Sequence, residues 1–275
     1  MLMEDKSRLI FEKSRTGRGF FYPGSGETDS QELDHIPKDF MRKSRARLPE
    51  VCERDVISHF IALSQKNMSV DTHFYPLGSC TMKYNPKVNE DIAAFSEFRN
   101  IHPCMEQKDF QGLLALLYEF EGFLCRLLGF DAFTLQPAAG AHGELTALMM
   151  ARKYFHEKGE EGRRVILVPD SSHGTNPASA LMCGFDHVIT VKSNKEGEID
   201  IDDLRRKCTE DVACLMVTNP NTLGLFERQI KVIADILHGR GALLYGDGAN
   251  MNALMGIARP GDMGFDFLHI NLHKT

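Results

Sequence analysis

From about residue 138 onward, short apolar segments rich in β-branched residues alternate with amphipathic ones, and this alternation constrains the fold more than any other feature. The apolar segments are predicted as strands at 164–169, 187–192, 212–218, 242–246 and 267–272. The segments between them are predicted as helices at 143–157, 177–182, 202–207 and 227–238. Strands that alternate with helices favour a parallel sheet covered on both faces. We therefore predict a three-layer α/β fold with a mainly parallel sheet.

The part of the chain before this region has a different pattern. Residues 1–48 are polar and contain many glycines and prolines, which predicts an arm rather than a core of its own. Three helices are then predicted, from Pro49 to Gln65, from Pro86 to about Phe98, and from Gln107 to Leu128.

The third of these helices has apolar residues at steps of three and four, which predicts one buried face. These residues are Phe110, Leu113, Leu114, Leu117, Phe120, Leu124 and Leu127. Gly129 is expected to end the helix. We divide the chain into an N-terminal arm with helices (1–105) and an α/β domain (106–275).

Charge and hydropathy exclude several classes of function. The formal net charge of −6 leaves no basic surplus for binding nucleic acid. The apolar runs fall well short of the roughly 20 residues that a membrane-spanning helix needs. The seven cysteines include no CxxC pair, and their odd number cannot form a complete disulfide set. We expect a cytoplasmic protein with no nucleic-acid or membrane partner.

Clusters of polar residues follow four of the predicted strands. They comprise residues 170–176, 218–222, 247–250 and 273–275. Because the carboxyl ends of parallel strands meet at one edge of a sheet, these clusters are expected to lie together and to bind a ligand there.

The residue types in and near these clusters match what a phosphorylated aromatic aldehyde such as pyridoxal phosphate (PLP) requires. Gly140 and Ala141 precede an apolar helix, where backbone N–H groups can hold a phosphate. His173 could stack on the ring, Asp247 could pair with a ring nitrogen, and the amine of Lys274 could bind the aldehyde. Each feature alone also has a plainer explanation. Gly140 and Ala141 could serve packing, and His173 could be an ordinary satisfied polar group. Asp247 could pair with another cation or donor, and Lys274 could lie at a solvated chain end.

Other cofactors match the sequence less well. No G-x-G-x-x-G motif follows a predicted strand, and the Walker motif is absent, which disfavours nicotinamide and nucleotide binding. A zinc site would have to be built from His142, His173, His269 and His273. These histidines lack helical H-x-x-x-H spacing and nearby thiols, so no metal is expected.

Several motifs together resemble the glycine dehydrogenase (decarboxylating) family, the P-protein of the glycine cleavage system. They lie at residues 136–144, 172–178, 218–224, 245–252 and 271–275. A further segment, YPLGSCTMKYNP at 75–86, is similar to the separately encoded second (β) subunit of that family. The resemblance extends over nearly the whole chain.

This resemblance implies a PLP enzyme with the aspartate-aminotransferase-like fold (fold type I). Lys274 would be the Schiff-base lysine, Asp247 the partner of the pyridinium nitrogen and His173 the ring-stacking residue, with Gly140 and Ala141 near the phosphate. Asn219 or Asn221 would reach the phenolic oxygen, and the sequence does not choose between them. Asn250 is a further expected cofactor contact. His173 and His273 are candidates for proton handling, although a positioning role is as consistent.

The resemblance also implies a reaction and partners. The expected activity is that of glycine dehydrogenase (aminomethyl-transferring), in which glycine is decarboxylated and its aminomethyl group passes to the lipoyl group of H-protein. The expected partners are glycine, lipoylated H-protein and the first (α) subunit, in an α2β2 assembly. Cys80, in the turn at 78–81, is expected to be structural rather than nucleophilic.

The sequence departs from the family at one end. Family β subunits continue past the lysine into a smaller C-terminal domain, whereas this sequence stops one residue after Lys274. We therefore expect an incomplete large domain without the small domain, and activity of the chain alone stays open. Two alternatives remain. One is another PLP-dependent amino-acid enzyme, and the other is a truncated, non-catalytic assembly subunit.

Overall fold

The computed structural model describes residues 8–19, 36–44, 46–73 and 84–275. Contacts between Cα atoms are concentrated within two compact units, Met1–Pro76 and Leu77–Thr275. The predicted turn at 78–81, with Cys80, lies outside the described residues. None of the helices in the described ranges is both long and apolar enough to span a bilayer.

The described residues of the first unit form two α-helices, α1 (Ile10–Lys13) and α2 (Glu53–Ser64), and a 3₁₀ turn at Lys38–Phe40. Helices α1 and α2 pack together. The segment after α1 is tied to the residues before α2, because the backbone N–H of Glu50 donates to Oγ of Ser14 at 2.8 Å. Helix α2 confirms the helix predicted from Pro49 to Gln65, although it starts at Glu53 rather than Pro49.

The second unit begins with three helices, α3 (Lys87–Ala93), α4 (Ser96–Arg99) and α5 (Gln111–Leu128), with a 3₁₀ turn at Gln107–Phe110 before the last. The single helix predicted from Pro86 to Phe98 is therefore wrong in one respect, since it is interrupted at residues 94–95. Helix α5 ends as predicted at Gly129, whose φ of 81° is readily adopted by glycine.

The predicted apolar face of α5 is only partly buried. Leu124 is 6% exposed, and Leu128, which the periodicity did not include, is 1% exposed. The other six predicted residues are half-buried. Their face borders an open groove instead of a filled core, because Leu117 and Phe120 line a cavity described below.

The rest of the second unit is a five-stranded parallel sheet with helices on both faces. The strands are β1 (Val165–Pro169), β2 (His187–Val191), β3 (Val212–Thr218), β4 (Leu243–Gly248) and β5 (Phe267–Ile270), in the order β2-β1-β3-β4-β5. The helices are α6 (Gly140–Glu157), α7 (Thr175–Met182), α8 (Ile201–Lys207) and α9 (Ile230–His238). All four strand pairings are parallel, which confirms the predicted three-layer architecture.

Each face of the sheet has its own apolar core. Along β1, Val165 and Leu167 pack with α8 and α9, whereas Ile166 and Val168 pack with α6 and α7. Successive residues of a strand point to opposite faces, so a strand covered by helices on both sides must be apolar throughout. This explains why the strand segments are nearly continuous apolar runs.

The boundaries of three elements differ from the prediction in ways that affect the site. Strand β4 continues to Gly248, so Asp247 lies within the strand rather than after it. Strand β5 ends at Ile270, and Lys274 belongs to a 3₁₀ turn at Leu272–Lys274 rather than to the end of a strand. Helix α6 begins at Gly140, three residues before the predicted start.

Two glycine backbones touch where α5 meets the segment before β5. A Cβ added to Gly261 would lie 1.8 Å from the carbonyl oxygen of Gly129. No side chain larger than hydrogen fits between these segments, so the end of α5 and the β4–β5 connection are in direct backbone contact.

Candidate active site

Asp247 lies near the carboxyl end of β4 and is 7% exposed. Its Oδ1 accepts a hydrogen bond of 3.2 Å from the backbone N–H of Ala249, and Nε2 of His269 lies 3.5 Å from the same oxygen. Among the described residues, Oδ2 takes part in no hydrogen bond. A buried carboxylate requires partners, and here one oxygen has them while the other is left for a ligand.

His269 lies beside Asp247 on β5 and is held by Tyr245. The two strands pair so that the Cα of Asp247 is opposite the Cα of His269. Nδ1 of His269 makes a short hydrogen bond with the Tyr245 hydroxyl, and their rings stack with centroids 5.9 Å apart. Burial lowers the pKa of His269, while the nearby charges of Asp247 and Glu144 act in the opposite direction. The imidazole therefore lies among several ionisable groups, of which Tyr245 and Glu144 had no role in the sequence analysis.

The turn that contains Lys274 is tied to the segment after β4. Nδ2 of Asn252 donates to the Lys274 carbonyl at 2.7 Å, and the backbone N–H of Met251 donates to Oγ1 of Thr275 at 3.4 Å. Lys274 is half-buried, and its positive charge acts on the pKa of His269, which also feels Asp247. These links bring the Lys274 turn and the Asp247 strand end to the same edge of the sheet.

The other two residues predicted on these segments are more exposed. His273 precedes Lys274 in the turn, and its side chain is exposed. Asn250 is exposed too, and its Oδ1 accepts hydrogen bonds from the backbone and side-chain nitrogens of Asn252.

Helix α6 starts against the Lys274 turn. A Cβ on Gly140 would lie 2.8 Å from the side-chain amide of Asn271, so a larger residue here would require that amide to shift. No side chain caps the helix at Ala139. The N–H groups of Gly140 and Ala141 in the first turn therefore have no acceptor within the helix, and they suit an anion.

His173 lies in the turn between β1 and α7, and its ring is exposed. Its Nδ1 accepts from the backbone N–H of Thr175 at 3.2 Å and lies 2.7 Å from the Thr175 hydroxyl. That hydroxyl donates to Oε1 of Glu144 at 2.8 Å, and Ser179 donates to Oε2 at 3.0 Å. The buried carboxylate of Glu144 thus connects the His173 turn to the start of α6.

Asn219 and Asn221 have different surroundings. Nδ2 of Asn221 donates to the carbonyl of Gly197, and its Oδ1 accepts from the backbone of Leu223 and Leu225, so its amide is used within the loop. In Asn219, Oδ1 accepts from the Glu227 backbone at 2.9 Å, but the buried Nδ2 has no partner. Asn219 is therefore the residue with a donor to offer a ligand.

The buried polar side-chain atoms that lack a hydrogen bond cluster at this edge of the sheet. Within the described ranges they belong to Asn176, Thr218, Asn219 and His269. Thr218 ends β3, Asn219 follows it, His269 is near the end of β5, and Asn176 lies at the start of α7, which follows β1. Buried polar groups are rarely left without a partner, so several at one edge indicate a place for a polar ligand.

A cavity of about 610 Å³ adjoins this edge, between α5, α6 and β5. Its walls are mostly apolar, and Ala139, Gly143, His269, Asn271 and His273 contribute to its lining. It is of the size that small-molecule sites have, and residues of β5, an edge strand of the sheet, form one of its walls.

Sequence reasoning missed three residues that the structure places here, Glu144, Tyr245 and His269. A signal was available for His269, because it is the one polar residue in the apolar segment FLHI that forms β5. Period-two alternation also puts Tyr245 on the same face of β4 as Asp247.

Comparison with known proteins gives concordant matches. The Aminotransferase class-V family model matches residues 142–275. A probable glycine dehydrogenase (decarboxylating) subunit 2 from Caldanaerobacter subterraneus subsp. tengcongensis is 53% identical over 275 residues, which are 100% of this chain and 56% of the relative. One from Kosmotoga olearia is 55% identical over 267 residues, covering 97% of this chain and 55% of the relative. The chain thus spans little more than half the length of these relatives.

Solved structures agree on the fold. The inhibitor-bound crystal structure of glycine decarboxylase (P-protein) of the glycine cleavage system matches with a TM-score of 0.68 and 23% identity, covering 87% of this chain and 52% of that one. Oryza sativa TDC with PLP and tryptamine matches with a TM-score of 0.64 and 15% identity, covering 86% and 56%. At such identities the match concerns the fold alone. The sequence matches are much closer: over the length that it shares with these relatives, the chain is 53–55% identical to proteins named probable glycine dehydrogenase (decarboxylating) subunit 2.

Proposed function

We propose that this chain provides the PLP-binding part of an enzyme that decarboxylates glycine and transfers the aminomethyl group to the lipoyl group of H-protein. The observation that carries the proposal is the set of unpartnered buried polar atoms at the carboxyl edge of the sheet, next to Asp247 and the uncapped start of α6. The names of the relatives, glycine dehydrogenase (decarboxylating) subunit 2, support glycine as the substrate.

The residues at this edge fit PLP group by group. The amine of Lys274 would hold the aldehyde carbon covalently, and Oδ2 of Asp247 would accept from the ring nitrogen. The backbone N–H groups of Gly140 and Ala141 would bind the phosphate, and Nδ2 of Asn219 would donate to the phenolic oxygen. When bound, PLP supplies an electron sink for the electron pair left on glycine as the carboxylate departs.

The remaining predicted residues orient groups and handle protons. His173 has Nδ1 engaged by Thr175, so its ring is fixed in orientation and suited to cover one face of the cofactor. His273 is exposed next to Lys274, where its imidazole could pass a proton between the site and solvent. Asn250 stays a proposed contact, and its Nδ2 is the atom available, because Oδ1 accepts from Asn252.

The proposal extends to partners and compartment. We expect the lipoylated H-protein and a first subunit of the glycine dehydrogenase as partners, in an α2β2 assembly. Cys208 and Cys214 lie buried as thiols in the sheet core, which supports a reducing, cytoplasmic compartment.

Borohydride trapping tests the cofactor site. The chain is incubated with PLP, reduced with borohydride and digested, and the phosphopyridoxyl label is located by mass spectrometry. We expect the label on Lys274 and its loss in Lys274→Ala. Lys153→Ala, which removes an exposed lysine of α6, is the matched control and should label normally. Undiminished labelling in Lys274→Ala would refute the site.

Isotope exchange tests the reaction. Labelled bicarbonate should exchange into the carboxyl group of glycine when the chain is assembled with the first subunit and H-protein. If PLP is bound but other amino acids react instead, the enzyme is a different PLP-dependent one. If the chain binds the first subunit without PLP and without exchange, it is a non-catalytic assembly subunit.

A further inference from the structure

Tyr245, His269 and Asp247 form a row of buried side chains in which the proposed function uses only the last. His269 is in register with Asp247 on the adjacent parallel strand, so the two side chains lie on one face of the sheet. Tyr245 lies two residues before Asp247 on β4 and shares that face. The order in the row is therefore hydroxyl, imidazole and carboxylate.

The hydroxyl determines where the imidazole carries its hydrogen. The hydrogen bond with Nδ1 of His269 is the only one that the Tyr245 hydroxyl makes in the described part of the chain. Burial raises the pKa of Tyr245 well above its ordinary value, so the hydroxyl keeps its proton and can donate it to Nδ1. Burial also lowers the pKa of His269, which favours a neutral ring. A neutral ring that accepts at Nδ1 must carry its hydrogen on Nε2.

Nε2 lies next to the carboxylate of Asp247. It is 3.5 Å from Oδ1, and no group within the described ranges makes a hydrogen bond to this buried nitrogen. A hydrogen on Nε2 is attracted to the carboxylate, whereas a lone pair there would be repelled by it. The backbone N–H of Ala249 holds the same oxygen, so both protein donors act on Oδ1 and neither acts on Oδ2.

The imidazole is fixed by packing as well. A Cβ on Gly143 would lie 2.9 Å from the Cβ of His269, which places the first turn of α6 directly on the histidine. The His269 side chain is 4% exposed, and the Tyr245 ring stacks on it at an interplanar angle of 16°. The ring has no room to turn away from Asp247.

We propose that His269, with its tautomer fixed by Tyr245, positions Asp247 by holding Oδ1 and so presents Oδ2 to the ring nitrogen of the bound cofactor. His269 touches neither substrate nor cofactor in this role, so it is a positioning residue. The inference rests on the proposed function for the identity of the cofactor. The arrangement of Tyr245, His269 and Asp247 does not depend on the proposed function.

Four variants of the 275-residue chain test the role in PLP binding. His269→Phe keeps a flat ring but removes the donor, and Tyr245→Phe removes the hydroxyl that fixes the tautomer. His269→Gln retains an N–H donor that can replace Nε2–H. His238→Gln is the matched control, because Nε2 of His238 lies 2.9 Å from Oδ2 of Asp266 at the opposite end of β5.

PLP titration followed by absorbance gives the first readout. Loss of the attraction between Nε2–H and the Asp247 carboxylate should weaken PLP binding about tenfold in His269→Phe. The pH at which the absorbance of bound PLP changes should shift in the same variant and in Tyr245→Phe. His269→Gln should stay within about threefold of wild type, and His238→Gln should match wild type. Unchanged affinity and spectrum in His269→Phe would overturn the inference, and so would a loss in His269→Gln as large as in His269→Phe.

The second readout needs no PLP. Long-range ¹⁵N NMR of histidine rings reports the tautomer of His269, whose signals are identified by their absence in His269→Gln. We expect the Nε2–H tautomer in wild type and a tautomer mixture in Tyr245→Phe. An Nδ1–H tautomer in wild type would overturn the inference. If wild type fails to bind PLP at Lys274, the proposed function fails, while this measurement still decides the arrangement. If His269→Phe does not fold, Tyr245→Phe decides the test, because it retains the imidazole.

Discussion

Gly143→Ala tests whether the first turn of α6 presses on His269. The added Cβ would lie 2.9 Å from the Cβ of His269, and that atom cannot swing away because it is bonded to the backbone of β5. Helix or strand must shift, and overpacking of this kind costs about 1–3 kcal/mol. Alanine gains about 1 kcal/mol over glycine in helix propensity. The free energy of unfolding should therefore change by between roughly zero and a loss of about 2 kcal/mol.

Gly122→Ala separates the two contributions. Gly122 lies in the middle of α5, and its added Cβ would meet only Nη1 of Arg126, at an ordinary 3.5 Å. It gains the same helix propensity without the contact. In urea unfolding followed by circular dichroism, Gly122→Ala should be more stable than Gly143→Ala by about 1–3 kcal/mol, since the propensity contribution cancels. Equal unfolding free energies in the two variants would refute the close approach.

Three further expectations concern pH, a helix end and the cofactor. Because burial lowers the pKa of His269, the folded chain binds fewer protons there than the unfolded chain, and the free energy of unfolding should fall as the pH drops below about 6.5. Denaturation at a series of pH values measures this, and His269→Gln should weaken the dependence. Asp200→Ala removes the side-chain acceptor, at 2.9 Å, for the Asp203 N–H at the start of α8, and thermal unfolding should show a loss of about 1 kcal/mol. Asp247→Asn should leave some PLP bound but greatly slow the glycine–bicarbonate exchange, and an unchanged rate in the full complex would contradict its role.

The order and type of the elements in the sheet could be predicted because burial on both faces requires continuous apolar strands. Strand β3 was predicted with its observed limits, and β1 to within one residue. Boundaries were less accurate where glycines replace apolar residues. Gly140 carries no apolar signal, so the start of α6 was placed at Gly143, three residues too late, although both glycines allow the helix to approach β5 and the residue after it.

The site could be predicted only in part, because sequence shows which residues follow a strand but not which buried side chains face each other. Asp247 and Lys274 were selected as polar groups at strand ends, and the structure ties their segments together through Asn252 and Met251. His269 was weighed only as a metal ligand. Its pairing with Asp247 depends on the register of β4 and β5, which no local pattern specifies.

The contact between Gly129 and Gly261 has a consequence for where this chain can tolerate change. Gly129 is restricted by its positive φ and Gly261 by the absence of space for any side chain, so a change at one cannot be compensated by a change at the other. The loops on either side of this backbone contact can therefore change in length, while the two segments in contact must keep their positions. Insertions meant for engineering belong outside these segments.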